Sequence, residues 1–213
     1  MRRIVKDAAP AFWESYVKKH PKERYRHLDS TTEGRSVRNQ LRDHLVEQQK
    51  MICCYCCGWL EKGPSGSHNE HVKPQSSYPN DSMDYGNILA SCNNSNTCGG
   101  AKRDSCDERY FVSPLQDDCE EHFSFSQDGR IKGVTEEGKR TIELLNLNHR
   151  PLVERRKAQF DNCLRMAQCM GKEYVEQHYL QPIDGKLPQY VDIAAYFYRQ
   201  GMFDKEVCNL VSR

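Results

Sequence analysis

At 213 residues the chain has room for one domain of moderate size, or one domain with appendages. A mean hydropathy of −0.86, with 37% hydrophobic and 29% charged residues, argues against membrane spans, and no apolar stretch approaches the ~20 residues that a span needs. The formal net charge of +1 is too small for the chain as a whole to grip nucleic acid, where phosphate neutralisation by Lys and Arg supplies most of the affinity. Any such contact falls to local patches or to a partner. Two patches stand out: Lys18, Lys19, Lys22, Arg24 and Arg26 near the start, and Arg150, Arg155, Arg156 and Lys157 further on. A solvated helix face explains either patch equally well. Met1-Arg2-Arg3 leads to Ile4-Val5 and then Lys6-Asp7, so the continuous apolar region of a secretory signal is missing and a cytoplasmic location is expected.

In chain order, Ala11 to Leu28 reads as one helix or two short ones interrupted by Pro21, with Phe12, Trp13, Tyr16 and Val17 on the buried side. Thr31-Thr32-Glu33-Gly34 is a break. Val37, Leu41 and Leu45 then recur at helical spacing up to Lys50, giving an amphipathic helix that delivers the chain to a cysteine cluster. From Met51 to about Leu115 the composition turns to Gly, Ser, Asn, Pro and Cys. Such a stretch buries too little apolar surface to offset its own ordering and calls for a staple in place of a core.

Further on, His122-Phe123-Ser124-Phe125-Ser126 and Arg130-Ile131-Lys132-Gly133 flank Asp128-Gly129, a dipeptide that favours a two-residue hairpin turn. A helix is expected from Thr135 to Asn146. Pro151 suits the first turn of another, and Val153, Phe160, Leu164, Ala167, Met170 and Tyr174 carry its apolar stripe to about His178. That stripe reads as core. Asp184-Gly185-Lys186-Leu187-Pro188 is a loop, and Val191 to Arg199 a short apolar-aromatic helix. No internal repeat, low-complexity segment or flexible linker interrupts the chain.

Eleven cysteines in a chain without an export signal argue against a disulfide framework and for metal binding by those that cluster. Cys53-Cys54-Tyr55-Cys56-Cys57 offers two registers of paired ligands, Cys53 with Cys56 or Cys54 with Cys57, and spacing alone allows either. Cys92 and Cys98 form a second, wider pair. Four thiolates from two distant pairs can close a tetrahedral structural zinc site. Cys106, Cys119, Cys163, Cys169 and Cys208 are scattered and read as ordinary packing or surface residues. Between the pairs lies Glu70-His71-Val72-Lys73-Pro74, expected as a short loop, with Asn87 beyond it. An acid followed by a histidine, held by such a staple, can offer a metal ligand and a general base to a phosphodiester.

Cys-x-Tyr-Cys, then Glu-His-x-x-Pro, then Asn-Ile-Leu-Ala-Ser-Cys and a second cysteine followed four residues later by Lys102 resemble the zinc-stapled HNH endonucleases of the ββα-metal fold. The resemblance covers about Met51 to Asp104. The lead-in helix, Ser91-Cys92 leading to Thr97-Cys98-Gly99, and Leu144-Leu145-Asn146-Leu147-Asn148 are further similar to the HNH subunits of Septu-type and retron-associated anti-phage systems. This resemblance implies an α+β chain with a zinc-stapled ββα-metal core at 51–115. A helical N-terminal segment at 1–50 precedes it, and a hairpin plus helical C-terminal segment at 116–213 packs with the core as one unit. It favours Cys53, Cys56, Cys92 and Cys98 as the zinc ligands. It implies His71 as the general base, Glu70 as ligand of the catalytic Mg²⁺ or Mn²⁺, and Asn87 as the residue that holds the histidine-bearing loop. Nucleic acid, DNA first, is the implied target, in a complex with an ABC-type (SMC-like) ATPase.

The third letter of the motif departs from the pattern. Counting from Asn87 lands on Asn96, and counting from the second cysteine lands on Gly99, which has no side chain to offer. Asn96 is therefore the expected second metal ligand, with Asp104 behind it. His68, in a Gly/Ser-rich surrounding, is expected to be solvent-exposed. RNA cleavage by the same chemistry and a catalytically silent zinc-stapled interaction module are the competing readings. Residues Ala11 to Lys50 and Pro151 to Arg199 exceed what a nuclease core requires. Docking on the ATPase is their expected use, with Trp13, Tyr16, Tyr196 and Phe197 as the first anchors to test, although core packing is the commoner fate of each.

Overall fold

The computed structural model describes residues 1–105 and 107–204. It is an α+β arrangement of helices around two small antiparallel sheets. Helix α1 (Ala11–Lys19) buries Trp13 and Tyr16 and stops just before Pro21. A 3-10 stretch, Tyr25–Ser30, follows. The expected break at Thr31-Thr32-Glu33-Gly34 is instead a cap and a first turn. The Thr31 hydroxyl accepts the Gly34 N–H at 2.9 Å, satisfying one of the free donors at the start of α2 (Thr32–Gln48). A Cβ on Gly34 would lie 2.3 Å from the Leu28 carbonyl oxygen, so the approach of the 3-10 stretch requires glycine there.

Helix α2 buries Val37, Leu41 and Leu45, as the spacing predicts, and packs on both strands of the first sheet. Its exit is held by Gln49. The side-chain carbonyl of Gln49 accepts the Ala90 N–H at 2.7 Å, and its amide donates to the Ala90 and Ile52 carbonyls at 2.8 and 2.9 Å. Lys50 and Met51, with φ of 55° and 64°, then turn the chain into the cysteine cluster.

The first sheet pairs β1 (His68–His71) with β2 (Ile88–Ser91), Glu70 opposite Leu89 and His71 opposite Ile88. Glu70-His71, expected in a loop, thus ends a strand. All four residues of β1 are polar, so the hydrophobic alternation that signals a strand is absent. The pairing is stabilised by β2, which is buried throughout. A short helix α3 (Cys98–Lys102) follows β2.

The second sheet, β3 (Phe123–Phe125) with β4 (Ile131–Gly133), is the hairpin expected around Asp128-Gly129. Its turn is longer than two residues: Ser126 N–H bonds to the Arg130 carbonyl at 3.0 Å, leaving Gln127-Asp128-Gly129 as the loop, with Gly129 at φ +87°. Helix α4 (Glu136–Leu144) is capped by Thr135, and α5 (Arg150–Met170) has Pro151 in its first turn. The helix expected to reach His178 ends at Met170, because Gly171 takes φ +90°. The chain resumes as α6 (Lys172–Val175) and a π-helical turn, Glu176–Leu180. Met170, read as part of the core stripe, is 61% exposed, whereas Phe160 and Ala167 are buried. Helix α7 (Val191–Arg199) has the limits the sequence predicts.

One cluster of buried side chains runs from Met1 to Phe203 and includes Cys53, Tyr55, Ile88, Leu89 and Ala90. The 51–115 stretch therefore shares a core with the flanking helices, and a metal there would supplement that core rather than replace it. Trp13, Tyr16 and Phe197 belong to it and Tyr196 packs against it, so none is a free docking anchor. No helix among the described residues is long and apolar enough to cross a membrane.

Candidate metal centre and active site

The chain reaches the first cysteine pair through a tight turn closed by Cys53 N–H to the Gly58 carbonyl, 2.8 Å, and Cys57 N–H to the Cys53 carbonyl, 3.1 Å. That turn points Cys53 and Cys56 at Cys92, just after β2, and at Cys98, the first residue of α3. Their four sulfurs all lie within 4.8 Å of one another. In a tetrahedral zinc site with Zn–S bonds of ~2.3 Å the sulfurs stand about 3.8 Å apart, so a contraction of about 1 Å at most closes this set on the ion. The residues fit the metal.

Cys53 is the acceptor of the group. The Cys92 N–H points at its sulfur at 3.4 Å, and the Ser91 hydroxyl stands at 3.5 Å. Burial opposes its ionisation, but hydrogen bonds with the neighbouring thiols outweigh burial and hold it well below the ordinary thiol value. Cys98 is pushed well up by its hydrogen bonds with Cys53, Cys56 and Cys92 and by burial. The remaining protons are those a bound cation would expel.

Cys54 and Cys57 lie outside the cluster. The backbone N–H of Cys54 bonds to Ala90, and the Cys57 side chain packs with Ile52, Leu187 and Val191. Among the scattered cysteines, Cys119 and Cys163 are buried and Cys169 is exposed, while Cys106 and Cys208 lie outside the described residues.

Successive residues of a strand face opposite sides, and β1 sends His68 and Glu70 one way and Asn69 and His71 the other. Glu70 is 6% exposed. Its Oε1 accepts from the Tyr55 hydroxyl at 3.0 Å and from Lys102 Nζ at 2.9 Å, and its Oε2 stands 3.3 Å from His68 Nε2. Burial alone would raise its pKa, but His68 and Lys102 outweigh it and hold the carboxyl below its usual value. Lys102 is 1% exposed and also donates to the His71 carbonyl at 2.7 Å. A buried lysine is tolerated only when paired in this way.

His71 packs edge-on against Tyr25, ring centroids 4.5 Å apart. Its Nε2 lies 2.9 Å from the Ser82 carbonyl oxygen, which can only accept, so Nε2 carries the proton and Nδ1 the lone pair. The Gln75 amide meets Nδ1 at 3.2 Å. Burial keeps the pKa of His71 below the ordinary imidazole value, and the imidazole is neutral at pH 7. Asn87 spans the turn after β1. Its Oδ1 accepts the Lys73 N–H at 2.7 Å, and its Nδ2 donates to the Lys73 and Asp81 carbonyls at 3.1 and 3.2 Å.

Asn96 is exposed in the Cys92–Cys98 loop, with its N–H on Asn94 Oδ1 and its carbonyl on Asn146. Asp104 is exposed as well. The residue beside Glu70 is Gly99, where a Cβ would stand 2.3 Å from Oε2 and 2.7 Å from His68 Nε2. His68, expected in solvent, is half-buried and joined to Glu70 because it shares that residue's face of β1. The later basic patch is also reduced: Arg156 is buried on the Leu152 and Leu147 carbonyls, Arg150 pairs with Glu154, and Lys157 pairs with Asp161.

No protein-family model matches the chain. It is 31% identical over 171 residues to a Vibrio cholerae protein assigned as the HNH endonuclease of retron Vc95, an alignment covering 73% of this chain and 80% of that one. The chain belongs to the HNH endonucleases. It is also 31% identical over 106 residues to the Septu protein PtuB of Bacillus thuringiensis, covering 49% of this chain and 39% of that relative. An HNH endonuclease is a metal-dependent nuclease, and this one carries a four-cysteine cluster able to hold a metal ion.

Proposed function

We propose that the chain is a metal-dependent endonuclease that hydrolyses phosphodiester bonds in DNA, acting as the nuclease subunit of an anti-phage defence complex with an ABC-type ATPase. In this reading β1, β2 and α3 are the ββα-metal core, flanked by 1–50 and 116–213. Cys53, Cys56, Cys92 and Cys98 hold a structural zinc. Glu70 binds Mg²⁺ or Mn²⁺; Asn96, the second ligand expected by counting from Asn87, stands in the exposed Cys92–Cys98 loop, with Gly99 beside Glu70. The observation that carries the reading is the neutral, oriented His71 directly following a carboxylate whose second oxygen is free of Tyr55 and Lys102. The names of the relatives support the defence setting.

The chemistry follows from the proton positions. Ser82 fixes the His71 tautomer, so Nδ1 is the basic nitrogen. A water that takes the place of the Gln75 amide there gives up its proton as its oxygen attacks phosphorus. Asn87 keeps the turn after His71 in place by bonding both backbone groups of Lys73. The bound divalent cation would supply charge neutralisation at the phosphate and at the leaving 3′ oxygen. His71 is the last residue of β1, so a phosphate lying across that strand end reaches both faces. The N-terminal basic residues and the ATPase supply the remaining grip.

Plasmid DNA and a structured RNA, offered to the zinc-loaded chain alone and co-expressed with a neighbouring ATPase, test the reading. Divalent-dependent DNA cleavage that EDTA stops is expected, and the two subunits should elute together. Cleavage of RNA alone reassigns the substrate. A pair of proteins that elute separately, with neither polymer cut, overturns the proposal in favour of a silent zinc-stapled module.

A further inference from the structure

We propose that His68 is a ligand of the catalytic divalent cation, binding through Nε2 beside Glu70 Oε2. The inference rests on the reading of Glu70 as the cation-binding carboxylate and adds a residue outside the Glu-His, Asn and third-letter positions of the motif. Geometry is the first support. Two neighbouring ligands on an octahedral cation, each bonded at ~2.1 Å, stand about 3.0 Å apart, and Nε2 and Oε2 are 3.3 Å apart. Glu70 Oε1 is already committed to Tyr55 and Lys102, so Oε2 is the oxygen left to bind a metal.

The second support is how His68 is held. Its Nδ1 lies 3.1 Å from Asn93 Oδ1, and the Asn93 amide is itself anchored on the Pro64 carbonyl at 2.9 Å. As the side chains stand, both ring nitrogens face acceptors, Nδ1 the Asn93 oxygen and Nε2 the Glu70 carboxylate, and a cation bound beside Oε2 would take the place of the Nε2 proton while Nδ1–H stays on Asn93. A metal-binding histidine characteristically donates its other ring N–H to such an oxygen. Gly99 explains why this ligand comes from β1. Its Cβ would strike both Oε2 and Nε2, so no side chain from that position of α3 can enter the space.

Access is the third support. The His68 side chain is 36% exposed and opens on a groove of about 230 Å³ lined by Tyr25, Arg38, Arg42, Pro64 and Asn69. Arg38 and Arg42 on that groove are paired with Asp29 and Asp43, so a phosphate there would have to exchange with those carboxylates. An imidazole ligand also changes which ion is preferred. Mg²⁺ favours oxygen, whereas nitrogen donors shift a site toward Mn²⁺.

The test is Mn²⁺ binding by the full zinc-loaded chain, followed by calorimetry and by the ¹⁴N modulation of the Mn²⁺ spin echo, with and without a non-hydrolysable duplex. The parent is compared with His68→Gln, Glu70→Gln, Asn96→Ala and His71→Ala. The parent and His71→Ala should show imidazole ¹⁴N modulation, and His68→Gln should lose it. His68→Gln should also weaken Mn²⁺ by at least about tenfold, the smallest loss seen when even an outer partner of a metal site is removed, and should weaken Mg²⁺ less. Glu70→Gln losing the ion while His68→Gln binds it as the parent does, with the modulation intact, overturns the inference and leaves the Glu70 reading standing. Glu70→Gln binding like the parent, or no Mn²⁺ bound by the parent under either condition, overturns both.

Discussion

Lys102→Met removes the only side-chain cation within salt-bridge reach of Glu70 Oε1 among the described residues, and its cost follows from the burial of the pair. Lys102 and Glu70 side chains are 1% and 8% exposed and 2.9 Å apart. Methionine fills a similar volume, but the carboxylate stays behind with only Tyr55 and His68 beside it. Breaking one partner of a buried pair costs about 3–5 kcal/mol. With His68 still beside Oε2, the low end, about 3 kcal/mol, is expected. At a urea dependence of about 2–3 kcal/mol per molar the unfolding midpoint should fall by about 1–1.5 M.

The sign with pH is fixed. In the parent, burial opposes but His68 and Lys102 hold the folded pKa of Glu70 below the unfolded value. Its contribution is therefore present above about pH 4.3 and fades as pH falls through the lower folded value. Without Lys102 burial dominates and the folded pKa rises, so the deficit of the variant should be larger at about pH 7.5 than at about pH 5.5. The further change Glu70→Gln should recover most of the loss. Urea titrations of zinc-loaded protein read all three effects. A single variant within about 1 kcal/mol of the parent, or a double variant no more stable than Lys102→Met, refutes the reasoning.

Cys53→Ser or Cys92→Ser should drop zinc content from one per chain to near none and lower solubility, whereas Cys54→Ser and Cys57→Ser should keep the metal; zinc analysis of the purified variants decides. Asn87→Ala should cost about 1–3 kcal/mol by removing the side chain that bonds the Lys73 N–H and carbonyl, and should slow cleavage while zinc stays bound. Because burial lowers the His71 pKa, the single-turnover rate should be flat through neutral pH and fall only as pH drops below about 6.5. A rate that already declines between about pH 8 and pH 7 contradicts a buried neutral base.

Motifs with fixed spacing were legible in the sequence, and relations across the fold were not. Cys53, Cys56, Cys92 and Cys98 converge as the resemblance implies, while spacing alone left Cys54 and Cys57 open. The limits of α7 and the position of the β3–β4 hairpin followed from apolar periodicity and a turn dipeptide. The β1 strand did not, because His68-Asn69-Glu70-His71 has no apolar residue to mark a period. With the strand missed, the shared face of His68 and Glu70 was missed too. Lys102 and Gln49 are buried polar residues whose partners are 32 and 41 positions away, a pairing that local composition does not encode. The aromatic residues of α1 and α7 could serve a core or a partner in sequence, core packing being the commoner fate, and burial assigns Trp13, Tyr16 and Phe197 to the core with Tyr196 packed against it.

The account turns on His71 as the group that deprotonates the attacking water. The most direct measurement is the single-turnover cleavage rate of His71→Ala against the parent, at equal zinc content and saturating Mn²⁺. A loss of ~10²–10⁴ in rate with unchanged zinc and melting temperature is predicted. Equal rates in the two proteins contradict it.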